Sequence, residues 1–279
     1  MWTLIRTSIL TFSACVAFEM CGAAQNGKQT LNVQEILQRS VIANRADWKA
    51  APGFAFVERD VESKRGGPKT VKDYLVMMVG GSPYRRLIAV QDRPLTKEQD
   101  AQELRKLRKE AQRRAHEPAD ARQERVNAYQ KERRQDQAMM NEMADAFSYT
   151  LAGEGRLAGR DVYILDASPK PGYQPKTRET RVLIGMRGRL WIDKQRFHWA
   201  KVEAEVFQPV SFGFFIAKVG PGTRFVLEEA PASPKVWLPV HFSVTVKASI
   251  LGFNNNSTDD ETYRDYRPNQ STLLQAMAK

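Results

Sequence analysis

Cysteine is nearly absent from this chain of 279 residues, and both copies, Cys15 and Cys21, stand close to the amino terminus. From residue 22 onward no disulfide, thiol nucleophile or thiolate-held metal is available, so the fold must rest on its own core. Histidine is almost as scarce. His116, His198 and His241 are far apart in sequence, and none stands in a ligand spacing such as HExxH. His198 and His241 fall on segments that read as neighbouring strands, where half-exposed strand positions are their expected place. There is no GxSxG nucleophile elbow and no phosphate-cradling P-loop. The spaced glycines of GEGRLAG (153–159) join two strands and precede no helix, which removes the dinucleotide reading. No cofactor and no metal are expected, and the chain reads as a binding protein, not an enzyme.

Long apolar runs are missing too. The longest, Ile9–Phe18, is broken by Thr11, Ser13 and Cys15 and falls well short of the ~20 residues a spanning helix needs. Behind one basic residue, Arg6, and ahead of the small residues CGAAQ (21–25), it has the order of a secretory signal cut near Ala23 or Ala24. FSAC (12–15) and, less closely, FEMC (18–21) resemble a lipid-attachment box, so acylation of Cys15 or Cys21 is the alternative to simple cleavage. The expected location is the periplasm of a Gram-negative bacterium.

Acidic residues are the minority charge: 43 Lys and Arg face 32 Asp and Glu, a formal +11. An exported basic protein meets anionic envelope surfaces. No nucleic-acid motif accompanies the charge, and no nucleic-acid partner is expected.

What is present is mostly strand. Residues 30–49 have helical spacing, with Leu31, Ile36, Leu37, Val41 and Ile42 on one face and a capping-box-like Asn32/Glu35 start. Strands follow at 54–65, 70–81 and 83–94, with Gly66-Gly67 and Gly80-Gly81 as turns. In the second, Val71, Leu75, Met77 and Val79 share a face that Asp73 interrupts. Residues 96–147 have no glycine and one proline, Pro118, and are dominated by Ala, Glu, Gln, Lys and Arg. This predicts a helical insertion bent or restarted at Pro118. Leu104, Leu107, Ala111 and Ala115 make a narrow stripe. Met139, Met140, Met143, Ala144 and Phe147 make a stronger face suited to docking. The rest reads as a solvated insertion, or as an arm for an anionic surface or protein partner.

Strands resume over 149–169, 178–193, 196–210, 224–230, 235–251 and 261–267. In the long one, Leu238, Val240, Phe242, Val244 and Val246 alternate with Trp237, His241, Ser243, Thr245 and Lys247, as in an antiparallel sheet covered on one side. GRLWIDKQRFHW (188–199) holds two tryptophans, an aspartate and a histidine. Its apolar rhythm stops at Lys194-Gln195-Arg196, so Asp193 reads as the cap of a hairpin turn. No second acid is placed to pair with it. VSFGFFIAKVG crowds Phe212, Phe214, Phe215 and Ile216 beside glycines and is apolar on both faces. Such a strand must be covered or must line a groove, which makes 210–219 the expected mouth of a cavity.

LAGEGRLAGRDVYILDASPKPGY followed by GRLWIDKQRFHWAKVEAEV resembles the LolA/LolB-like superfamily of periplasmic lipoprotein carriers and its uncharacterised bacterial relatives. Gly188, Leu190, Trp191, Ile192 and Asp193 stand at the G-x-L-W-I-D positions, and FGFFIAKVGPGTRFVLEEA and ETYRDYR look like the same relatives. The resemblance covers roughly 30–95 and 147–267. It implies an α+β, mostly β fold: a highly curved antiparallel sheet, an unclosed half-barrel, covered by an N-terminal helix, with a hydrophobic cavity between. The insertion 96–147 departs from the carriers, which have none of that length. The expected organisation is a signal at 1–24 and one domain over 25–279 containing the insertion, monomeric. Its expected ligand is an acyl chain or lipoprotein lipid, held by Phe212, Phe214, Phe215, Ile216, Leu190, Ile192, Leu238, Val240, Phe242 and Met77. The alternative is an envelope interaction protein of the same fold that uses the charged helices and binds no ligand.

Overall fold

The computed structural model describes residues 31–64, 67–177, 179–212, 217–250 and 253–278. The expected signal segment 1–24 with both cysteines, Gly66, and Phe214, Phe215 and Ile216 of the expected cavity mouth lie outside these residues. Asn32 starts helix α1 (Val33–Ala50) by accepting the Glu35 N–H at 2.9 Å. Strands β1 (Phe54–Lys64), β2 (Thr70–Val79), β3 (Ser82–Val90) and the two-residue β4 (Arg93–Pro94) follow. Thr96 and Gln99 form a capping box that starts α2 (Lys97–Ala115). Pro118, with no N–H and an extended backbone, separates α2 from α3 (Ala119–Ala146). Next come β5 (Phe147–Leu157), β6 (Arg160–Pro169), β7 (Met186–Asp193), β8 (Trp199–Val206), and the short β9 (Val210–Phe212) and β10 (Ala217–Val219). The chain ends with β11 (Arg224–Ser233), β12 (Val236–Val246), β13 (Ala248–Ile250), β14 (Phe253–Asn254), β15 (Ser257–Pro268) and α4 (Asn269–Ala278).

Eleven strands make one antiparallel sheet in the order β4-β3-β2-β1-β15-β12-β11-β8-β7-β6-β5, and four short strands make a second sheet, β14-β13-β10-β9. β4 and β5 are the two ends of the large sheet, so it is open, as the resemblance implied.

In-register partners share a face. Leu165, Leu190, Val202, Leu227 and Phe242 are successive partners across β6, β7, β8, β11 and β12. At the β5–β8 end this face is covered by α1 and the last turns of α3, through Ile36, Met139, Met140 and Met143. The same row continues into Glu261 on β15 and Asp60 on β1, where apolar gives way to acidic. Ala55 and Val57 alternate with Glu58 and Asp60 and so look the other way. On that side α2 and α4 cover β1–β3, with Leu107, Met77, Val79 and Ala276 buried together.

The insertion is therefore built into the fold, which corrects the expectation of a solvated arm. Leu107 is fully buried. Arg114 Nη1 donates to the carbonyls of Val79 (2.9 Å) and Ser82 (3.0 Å), and Arg125 donates to Gly80 O (3.0 Å) and Ser82 Oγ (2.6 Å). Both arginines clasp the β2–β3 turn, where Gly80 has φ +56 and a Cβ would lie 3.1 Å from the Arg114 side chain. Only glycine meets both demands. Further along α3, the Arg133 guanidinium lies 4.0 Å from the Trp48 ring of α1.

Three further expectations are corrected. Residues 179–185 form a 3₁₀ turn, not the first half of a strand. Adjacent Val182 and Leu183 both pack into one cluster, which strand alternation would forbid. Along β12 one face was expected to stay partly wet, but neighbours Trp237 (1%) and Leu238 (4%), which pair regularly with Pro231 and Ala230 and so point to opposite faces, are both buried, so neither face is wet there. His198 is buried, not half-exposed, and β11 separates its strand from that of His241.

Candidate functional site

The Asp193 hairpin is structural. Its Oδ1 accepts the N–H groups of Gln195 (3.0 Å) and Arg196 (2.7 Å), and Phe197 closes the turn at φ +64. Gly188, at the head of the same motif, registers with Ala167 and Ala204, and a Cβ there would lie 2.6 Å from Glu203 O. The motif's residues hold three strands close and support a site without forming one.

One polar cluster lies near it. Ser40, Asn44 and Asp47 repeat at helical spacing on the buried side of α1. Trp199 donates its backbone N–H to Asn44 Oδ1 (3.4 Å) and its indole N–H to Ser40 Oγ (3.3 Å). Asp47 Oδ1 accepts the Trp237 N–H at 2.9 Å, and its Oδ2 binds His198 Nδ1. The His198 ring stacks on Trp237 with 5.0 Å between centroids. All of these residues are buried and both Asp47 oxygens are committed, so this His–Asp pair anchors α1 to the sheet. Nearby Glu229 is pushed up to about 8 by burial and by the Asp47 charge, and its Oε2 has no hydrogen-bond partner.

The acidic part of the first face holds Glu58, Asp60, Glu62, Asp259 and Glu261. Burial, with Glu261 and Asp60 nearby, pushes Glu58 up to about 7, although Arg85 pairs with it and opposes the shift. Burial and the charges of Glu261, Asp60 and Glu62 push Asp259 up to about 6.

An opening lies on the other side of the sheet. A cavity of about 460 Å³ lies between β1–β3, β15, α2 and α4. Ala55, Val57, Leu75, Ile88, Leu104 and Ala276 supply apolar walls, and Arg86, Asp100, Asp265, Arg267 and Thr272 supply the polar ones. The sequence explains the gap. β15 steps by three residues against two of β1 between Ala55 and Val57, and Asp265 in that bulge has φ +58. The bulge bends the strand away, and the narrow stripe of α2 leaves the space unfilled. Arg86 Nη1 donates to Asp100 Oδ1 at 2.5 Å, while its Nε is buried with no partner.

Of the residues expected to hold a ligand, the six whose side chains are described, Leu190, Ile192, Leu238, Val240, Phe242 and Met77, do not line this cavity. Met77 comes nearest, buried beside Ala55 and Leu107. Leu190 and Ile192 are core beneath α1 and α3. Leu238 and Phe242 are buried and Val240 half-buried on β12, where Phe225 meets Phe242 edge-on at 5.2 Å. Of segment 210–219, Val210 and Ser211 line a smaller cleft of about 390 Å³ with Gln174, Pro175, Arg181 and Gln208. The cavity residues are hard to see in the sequence because charged residues dominate α2 and α4 is only ten residues long. The available signals were the Leu104/Leu107 stripe and the apolar tail STLLQAMA. Among the described residues no group of three His, Cys, Asp or Glu is placed to hold a metal ion. No helix there is long and apolar enough to cross a membrane.

No family model matches the chain, and no curated protein matches it in sequence. Solved structures are similar in outline. A LolA superfamily protein from Nitrosomonas europaea is 10% identical over 85% of this chain and 94% of its own, with a TM-score of 0.33. A domain from Vibrio parahaemolyticus described as outer-membrane lipoprotein-sorting is 12% identical over 85% and 98%, also at 0.33. A DUF1329 family protein from Desulfovibrio piger is 12% identical over 84% and 92%, at 0.30.

Proposed function

We propose that the protein is an exported, non-enzymatic binding protein of the bacterial periplasm that holds a hydrophobic ligand, an acyl chain or a lipoprotein lipid. The observation that supports this is the apolar cavity under α2 and α4. Its size is within the few hundred Å³ usual for small-ligand sites. Each methylene buried there would contribute about 0.8 kcal/mol, and release needs only that α2 or α4 shift. The apolar segment with Phe212, Phe214, Phe215 and Ile216 is the second candidate place, and Val210 and Ser211, which precede it in the chain, line the smaller cleft.

Titration with a fluorescent fatty-acyl probe tests the reading. Leu104→Trp, which fills the main cavity, is expected to weaken binding at least about tenfold, equivalent to ~1.4 kcal/mol. Phe214→Ser with Phe215→Ser is expected to do so only if the ligand sits at the second place. A parent protein that never binds the probe overturns the reading. The interaction-protein alternative then gains, supported by the exposed Arg105 and Lys109 on the outer side of α2. A co-purifying lipid in native mass spectra of protein from its own envelope speaks for the carrier, and a clean apo mass speaks for the alternative.

A further inference from the structure

The cavity wall carries two cations that the surrounding structure does not use up. Arg86 gives Nη1 to Asp100, but its Nε–H is buried and meets no acceptor. Arg267 lines the same cavity, is exposed, and its side chain makes no hydrogen bond or ion pair among the described residues. The other acid in the wall, Asp265, is engaged by Arg264 at 2.9 Å. A buried N–H without an acceptor is unfavourable, and a guanidinium presents donors in a planar fork suited to a two-oxygen anion. Of the remaining walls only Thr272 is polar, and its hydroxyl donates to the Pro268 carbonyl at 3.1 Å.

We infer that the ligand is a single-chain amphiphile with an anionic head, its chain against Val57, Leu75, Ile88 and Leu104 and its head on Arg86 and Arg267. This rests on the proposed binding role and adds the head-group chemistry. A neutral chain would leave the Arg86 Nε as it is, and a cationic head would meet Arg267 unpaired while both acids of the wall, Asp100 and Asp265, are already held by Arg86 and Arg264. An anionic head supplies the counter-charge that Arg267 lacks, and a small turn of the Arg86 side chain would bring its buried, unpartnered Nε–H to the same head.

Calorimetric titration of the full mature chain with dodecanoate and with dodecanol, both below their aggregation limits, separates the cases. Dodecanoate is expected to bind about tenfold more tightly, as one charge-assisted contact would give. Arg267→Gln, at an exposed position, and Arg86→Lys, which keeps a charge for Asp100 but removes the Nε–H, are each expected to shrink that preference. Dodecanol affinity should stay unchanged in both. Equal binding of the two compounds by the parent overturns the head-group assignment and leaves the cavity reading intact, as does a preference that survives both substitutions. Binding of neither compound overturns the cavity reading itself.

Discussion

Asp47 sits where three elements meet, and its two oxygens are committed to His198 and to the Trp237 N–H. Asp47→Ala would strand a buried imidazole and a buried amide together. The expected loss is about 2–4 kcal/mol, since each orphaned buried group costs 1–3 kcal/mol. Asp47→Asn keeps an acceptor for Trp237 and should lose less. Chemical denaturation of the two variants checks the order, and equal losses would mean that the backbone contact carries no stability. This anchor was not legible in the sequence. Apolar spacing pointed to Leu31, Ile36, Leu37, Val41 and Ile42 as the inward side of α1. Ile36 is indeed buried, but Ile42 is 69% exposed. The inward side turns polar at Ser40, Asn44 and Asp47, and a pattern count of apolar residues passes over such positions. Asp193 was legible, because turn chemistry is local.

The insertion shows the same limit at the scale of elements. Its helices, its break at Pro118 and the docking of its methionine end all follow from local pattern. The seating of α2 does not. It depends on one buried leucine and on long cationic side chains that reach carbonyls 32 and 35 positions away in sequence. Charge-rich helices look solvated when such partners are unseen. Leu107→Ala is expected to cost about 2–5 kcal/mol, as for a fully buried leucine. A Gly/Ser linker in place of 98–138 closes a loop cheaply, yet it would bare Met77, Val79 and the β2–β3 turn. Loss of a cooperative melt is therefore expected for the deletion. A deletion that melts like the parent would show the helices to be an ornament on the sheet.

For the whole molecule, most of the strands were legible because long antiparallel strands announce themselves by alternation. The open sheet was what the resemblance implied, and the strand order was not legible. The cavity was not, since it arises from a bulge and from the angle at which two helices lie. The molecule also buries carboxyl groups despite its basic surface, and this sets its response to pH. Glu58, Asp259 and Glu229 titrate in the folded protein near 7, 6 and 8. Unfolded, they would titrate near 4.5, 3.8 and 4.5. Between those limits the folded state holds more protons than the unfolded chain, so stability falls as pH rises from about 4.5 to 8. Glu110 acts in the opposite sense at lower pH. The arginines Arg113 and Arg114 hold it down to about 2, so its contribution is present above about 4.5 and lost on acidification. Self-repulsion of a chain with formal charge +11 would predict the reverse slope above pH 5, because the positive excess shrinks as acids ionise. The two causes are thus separable in one experiment. Thermal melts are expected to show greatest stability near pH 5 and a decline toward pH 8. Glu229→Gln, which removes the carboxyl without a bonding partner on Oε2, should flatten part of that decline and raise the melting temperature at pH 8 while changing it little at pH 5. A melting temperature that climbs from pH 5 to 8, or a Glu229→Gln variant less stable than the parent at pH 8, would show that whole-molecule repulsion outweighs the buried acids.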